Sequence, residues 1–290
     1  MNSPALVSAL FVLLLTGVGV APAPAETASV PDNFRRENLV AWYIAPFDGT
    51  RVTPEARAQM LKKLGLKRFA YDWREAHVPE FESEFLSCQK HGIEFFAFWK
   101  GHENAYPLMV KYGVKPQIWH PLQTGKGLSN KEKVSSVAEA LVPLATRTQE
   151  AGLSLGLYNR GGWGGLPDNL VAVCKALRAK GFEHVGIVYN FHHAHLRIAN
   201  FEEDLRSMMP YLLCLNLNGM ADPAVEDVAK ADVKVKPIGK GAHEREMIET
   251  TIAVGYKGPV GVIGPISSAK VEEVLRENLE GLEQILSTIP

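Results

Sequence analysis

VGIVYNFHHAH, residues 185–195, is the stretch from which the fold can be read. A short apolar run rich in Val and Ile ends abruptly in Asn190, His192 and His193, as a buried parallel strand does when it delivers polar side chains to a site. Two neighbouring runs have the same form. LSLGLYNRGGWGG (153–165) ends its apolar part in Tyr158, Asn159 and Arg160, and YLLCLNLNGM (211–220) carries Asn216 and Asn218 at its end. Apolar strands that all finish in polar clusters imply one shared mouth at their carboxyl ends.

Working outward, the same strand, loop and helix unit recurs along the chain. Strands are expected at 39–45, 67–72, 93–99, 115–119, 153–158, 184–189, 211–217 and 260–263. Helices are expected at 53–64, 79–91, 103–112, 129–151, 167–180, 200–209, 242–254 and 269–286. Thr53 with Pro54 behind it reads as a helix start, and Ser129 with Glu132 fits a capping box. Gly65, Gly92, Gly113, Gly181 and Gly255 supply helix stops. Parallel strands joined by helical crossovers build an open doubly wound sheet or a closed barrel, and eight such units in roughly 250 residues is the barrel number. The fold class expected is therefore α/β, a single-domain (β/α)8 TIM barrel. No GxGxxG follows the first strand, which argues against a dinucleotide site.

Composition sets the outer limits. Of 290 residues, 46% are hydrophobic, enough for a packed core. The 31 Lys and Arg nearly cancel the 32 Asp and Glu, so charge gives no reason to expect nucleic acid or an anionic membrane surface as partner. A small molecule fits better. Residues 1–25 carry no charge, with an apolar block from Leu6 to Val20 and the run Ala21-Pro22-Ala23-Pro24-Ala25, which reads as a secretory signal peptide cut after Ala25 despite the missing n-region Lys or Arg. Residues 26–38 form a polar lead-in, and 39–290 the barrel. The mature chain is then periplasmic or secreted, with no other segment long enough for a membrane. Cys88, Cys174 and Cys214 form no CxxC and read as small buried apolar residues. Nothing in the residues selects an oligomeric state.

The strand ends also name the chemistry. Asp72, Trp73 and Arg74 follow the second strand, Trp99, Lys100 and His102 the third, Trp119 and His120 the fourth, and Gly239, Lys240 and His243 lie near the last two. Aromatic rings mixed with Asn, His, Arg and Lys suit a sugar or polyol, whose C–H faces stack on rings while its hydroxyls need paired donors and acceptors. Among these ends only Asp72 carries a carboxylate directly. His193, His192 and Arg160 are the catalytic candidates; Tyr158, Asn159, Asn190, Asn216, Asn218, Trp73, Trp99 and Lys240 are the substrate-binding ones. Adjacent residues on a strand face opposite ways, so only one of His192 and His193 is expected to reach the site. The glycines from Gly161 to Gly165 permit a tight loop, with an anion cradle beside Arg160 as the alternative.

YDWREAHVPEF (71–81), YNRGGWGG (158–165), VGIVYNFHH (185–193) and LNLNGM (215–220) together resemble the xylose isomerase-like TIM-barrel superfamily, and within it a secreted branch labelled sugar phosphate isomerase/epimerase. The resemblance runs from about Leu39 to Leu286. It implies a TIM barrel and isomerase or epimerase activity. It also implies one divalent ion held by a Glu after the fifth strand, an Asp and a His after the sixth, a His in the seventh and a Glu after the eighth. Those positions fall at Tyr158 or Asn159, at Asn190 and His193, at Asn216 and at about Gly264, so only His193 keeps the ligand type. A metal site from His193, Asn190 and Asn216, taking Mg, Mn, Co or Zn, is the degenerate form the resemblance allows without requiring it. The leading reading is an exported isomerase or epimerase acting on a sugar or keto-sugar by acid/base proton transfer. The rivals are a carbohydrate-binding barrel without catalysis, and a lyase or hydrolase acting on modified glycosides.

Overall fold

The structure, a computed structural model, describes residues 30–44, 52–263 and 270–289. The segment read as a signal peptide, residues 45–51 and position 264 lie outside the described residues. The barrel strands are β1 (Val40–Trp42), β2 (Arg68–Tyr71), β3 (Glu94–Trp99), β4 (Gln117–Pro121), β5 (Leu155–Tyr158), β6 (Val185–Asn190), β7 (Leu212–Leu217) and β8 (Val260–Ile263). They pair in parallel in chain order, and β1 closes on β8 with Trp42 opposite Ile263. The main helices are α1 (Pro54–Lys63), α2 (Phe81–His91), α3 (Ala105–Tyr112), α4 (Asn130–Glu150), α5 (Pro167–Arg178), α6 (Phe201–Met208), α7 (Glu244–Ala253) and α8 (Val271–Leu286). One follows each strand, so the expected (β/α)8 barrel is the one observed.

Side chains alternate across each strand and fill two layers. Outward residues such as Phe69, Leu155, Leu157, Ile187, Leu215 and Val262 meet the helices, and burying them supplies most of the driving force. Val40, Trp42, Ala70, Trp119, Tyr158, Val188 and Cys214 fill the interior. Two tryptophans fit there because neighbouring strands give up their side chains. A Cβ on Gly156 would lie 2.6 Å from Val188 Cγ2 and 2.9 Å from Trp119 Cδ1. All three cysteines are free and buried, as expected, and burial pushes the Cys174 thiol up to about 11.

Local signals set the helix ends. Thr53 Oγ1 accepts from Ala56 N–H at 3.2 Å, and Ser129 and Glu132 exchange both capping-box bonds. Gly92 and Gly113 close α2 and α3 in the left-handed conformation. Two departures are physical. The helix expected from residue 79 begins at Phe81, because Pro79 sits within a 3-10 segment, Glu75–Glu80. The polar lead-in, described from Val30, is fastened to the barrel although it has little periodicity: Asn33 Nδ2 donates to the carbonyls of Tyr256 and Gly258, and Arg36 pairs with Glu283. The long insertion after β7 folds as an antiparallel ribbon, Gly219–Met220 against Val235–Lys236. Buried Glu244, opening α7, clamps it by accepting from the N–H groups of Met220, Gly239 and Gly241.

Candidate active site

In a parallel barrel every carboxyl strand end opens on one face, and side chains there can converge. β1 and β3 deliver aromatic walls. Trp99 lies against Tyr158 with ring centroids 4.8 Å apart, and Trp42 packs beneath both, its Nε1 donating to Tyr158 Oη at 3.2 Å. The residues after these strands, Tyr43 and Lys100, have φ of 63° and 59°, a left-handed backbone rare for side-chain-bearing residues and enriched where function demands it. β2 delivers Asp72, buried and gripped by both Arg74 Nη atoms at 2.5 and 3.0 Å. Burial pushes the Asp72 carboxyl up, against the pull of Arg74, Arg160 and Lys100.

The histidines are arranged otherwise than strand alternation predicts. β6 ends at Asn190, and Phe191–His193 coils into a 3-10 turn. Coiling brings His192 and His193 to the same side, ring centroids 3.7 Å apart, which corrects the expectation that they face opposite ways. His193 also meets the Tyr158 ring edge-on at 6.0 Å. Burial, then the charges of Lys234 and Arg160, hold the His193 imidazole down to about 3. Burial, then the neighbouring His193, hold the His192 imidazole well down too, so both rings are neutral at pH 7. His192 Nδ1 is buried without a hydrogen-bond partner among the described residues.

Lys234, on the insertion, was not among the sequence candidates. It sits in an unremarkable charged stretch, and only the ribbon carries it back over the β6 end, where its carbonyl accepts from His195 Nε2 at 2.8 Å. Lys240, expected to bind substrate, is instead exposed on the turn closed by its N–H to Pro237 O, so Lys234 replaces it as the insertion's cation at the mouth. Two tryptophan expectations also change. Trp119 is fully buried inside the barrel, and Trp73 packs outward among Phe81, Phe98 and His102 with Nε1 donating to Trp99 O at 2.6 Å. Of the expected rings, Trp99 and Tyr158 come together at the mouth.

Three of the four candidate asparagines occupy one another. Asn159 Oδ1 accepts from Asn190 N–H at 2.8 Å and Asn190 Nδ2 at 2.7 Å, while Asn159 Nδ2 donates to Asn190 O, prolonging the β5–β6 ladder with a side chain. Asn190 Oδ1 accepts from Asn216 Nδ2 at 2.8 Å, and Asn216 Oδ1 accepts from Cys214 Sγ at 3.5 Å. All are fully buried. Asn218 differs: it donates to Gly219 O, yet its buried Oδ1 has no partner among the described residues.

This arrangement does not fit a divalent ion. The oxygens that would replace carboxylates at Asn190 and Asn216 already accept hydrogen bonds, and neutral amides are weak ligands for a hard dication. Among the described residues no three His, Cys, Asp or Glu side chains gather. The metal set expected from His193, Asn190 and Asn216 is corrected to an amide ladder beside a neutral histidine pair.

The fold is a (β/α)8 TIM barrel, and the solved structures it is similar to include xylose isomerase-like TIM-barrel proteins and sugar epimerases. The 3-keto-D-glucoside 4-epimerase YcjR of E. coli superposes with a TM-score of 0.63 at 16% identity, over 86% of this chain and 100% of that one. D-psicose 3-epimerase from Clostridium cellulolyticum H10, solved with D-tagatose, gives 0.57 at 12% identity, over 85% and 98% of the two chains. A xylose isomerase-like TIM barrel protein from Mycobacterium smegmatis, solved with magnesium, gives 0.54 at 15% identity over 89% and 98%. No family model and no curated protein matches the sequence.

Proposed function

We propose that the chain is an acid/base enzyme of the isomerase or epimerase type, acting on a sugar or keto-sugar and exported before it works. The observation that carries this reading is a neutral histidine pair flanked by Arg160 and Lys234, at a mouth walled by Trp99 and Tyr158. Removing a proton from a carbon next to a carbonyl develops negative charge on the carbonyl oxygen, which nearby cations and a neutral N–H donor stabilise. His193 accepts that proton and returns it on the same face to the adjacent carbon; where the same carbon is inverted, His193 keeps the proton and a second acid delivers one from the opposite face. The cations that hold its basicity down in the empty mouth are offset as the substrate's charge grows. Ring faces of Trp99 and Tyr158 suit sugar C–H groups, and the free Oδ1 of Asn218 suits a hydroxyl. The sugar epimerases among the structural neighbours support the same class.

Deuterium wash-in at C–H positions next to the carbonyl, followed by NMR over a panel of aldoses, ketoses and keto-glycosides, tests the proposal. Wild type should exchange at least one substrate, and His193→Gln should lose exchange by about 100-fold or more while still binding it, the range general acid/base groups supply. Saturable binding with no exchange on any sugar would favour the second reading, a carbohydrate-binding barrel. That reading has its own support in the weak basicity of His193 and the amide ladder at the strand ends. Export is tested by mass measurement of the protein recovered outside the cytoplasm, which should begin at Glu26. Among the described residues no helix is long and apolar enough to cross a membrane.

A further inference from the structure

Arg160 stands apart from the rest of its kind. Every other described arginine donates to a carboxylate or a carbonyl, as Arg36 does to Glu283, Arg147 to Glu103, Arg178 to Val185 O and Arg197 to Asp204. Arg160, exposed at the end of β5, has no hydrogen bond and no ion pair among the described residues. Its position is not remote: its charge acts on Asp72, Tyr43, Tyr158 and His193. The adjacent Gly161 and Gly162, at φ of 81° and 57°, leave open space where side chains would stand, and their N–H groups donate to no acceptor among the described residues.

The surrounding charge is unbalanced in the same sense. Asp72, the carboxylate of the mouth, is already matched by Arg74. Among the described residues the Lys100 ammonium meets the Trp99 ring, at 5.9 Å, and Lys234 has no acidic partner, so with Arg160 they leave cationic charge unanswered there although the whole chain carries a formal −1. A planar guanidinium with its donors free, followed by unclaimed N–H groups, is the arrangement that takes a carboxylate through two parallel hydrogen bonds or a phosphate through its oxygens.

We infer that the mouth takes a sugar bearing an acidic group, held by the Arg160 guanidinium with Lys234 beside it. This rests on the proposed sugar-directed site and names its substrate class. Arg160 follows Tyr158, whose ring meets His193, by two residues, and the Lys234 carbonyl accepts from His195, so both cations stand on the His193 side of the mouth.

Calorimetric titration of the mature chain with glucose, glucuronate and glucose 6-phosphate, at low and raised salt, tests the inference. An acidic sugar should bind about tenfold or more tighter than glucose, the ratio that charge-assisted hydrogen bonds supply, and the ratio should shrink as salt rises. Tighter glucuronate assigns the group as carboxylate; tighter glucose 6-phosphate assigns it as phosphate. Arg160→Gln should bring the ratio toward one. Arg160→Lys should restore part of it for phosphate and less for carboxylate, because a point charge lacks the fork. Equal affinities, an unchanged ratio in Arg160→Gln, or no binding of either acidic sugar would overturn it. Deuterium exchange on the same panel separates the two claims. Acidic sugars bound through Arg160 without exchange would sink the catalytic proposal alone, and exchange on neutral sugars with no acidic preference would sink this inference alone.

Discussion

His192 and His193 stack so closely that a proton on either is resisted by the other, by burial and by the Lys234 and Arg160 charges. The consequence for stability has a definite sign. In the unfolded chain His193 titrates near 6.5, and in the folded chain near 3, so between these values the unfolded state binds more protons. Stability is therefore full above about pH 6.5 and falls as the pH drops toward about 3; urea midpoints measured from pH 7 to 4 should fall, and less steeply in His193→Gln. A flat profile identical in the two proteins would contradict the burial described. Lys100 makes a second case. Its φ of 59° costs on the order of 1 kcal/mol that glycine would not pay. Lys100→Gly should raise the melting temperature while weakening binding of acidic sugars; a lowered melting temperature would show that its contact with Trp99 outweighs the backbone term.

At the scale of elements, two buried carboxylates hold loops and helices in place. Glu244 neutralises three main-chain N–H groups of the insertion, and hydrogen bonds to a charged acceptor contribute about 1.5–3 kcal/mol each. Glu244→Ala should cost roughly 3 kcal/mol in denaturant titration, with increased proteolysis between Ala221 and Lys240, because the insertion loses its clamp. Glu84 of α2 is paired with Arg57 of α1, both fully enclosed, and burial pushes the Glu84 carboxyl up even with the guanidinium beside it. Removing one partner leaves a buried charge alone, so Arg57→Met should destabilise by about 3–5 kcal/mol, whereas the double change Arg57→Met, Glu84→Leu should recover most of that loss. A double variant no better than the single one would show that the pair itself holds α1 on α2.

For the whole molecule, the barrel is legible in the sequence because its evidence is repetitive: short Val/Ile-rich runs, each closed by a polar cluster and followed by a capped helical segment. Strand ends place Asp72, Trp99, Arg160 and His193 at the carboxyl face of the barrel for the same reason. What stays hidden depends on local coiling and on chain return. The 3-10 turn that stacks His192 on His193 has no period to read. Lys234 enters only because the ribbon strand that begins at Val235, well beyond the end of β7 at Leu217, folds back, and Trp73 turns outward although its neighbour Asp72 is drawn to Arg74. The asparagines at 159, 190 and 216 look like ligand-binding groups in one dimension and prove to be partners of each other in three. That ladder carries the central claim, that proton transfer here runs on His193 without a bound dication. The most direct test is the deuterium exchange rate of exhaustively chelated protein, before and after adding Mg, Mn, Co or Zn. An unchanged rate across all additions is the predicted result; exchange that vanishes on chelation and returns with one ion would contradict it.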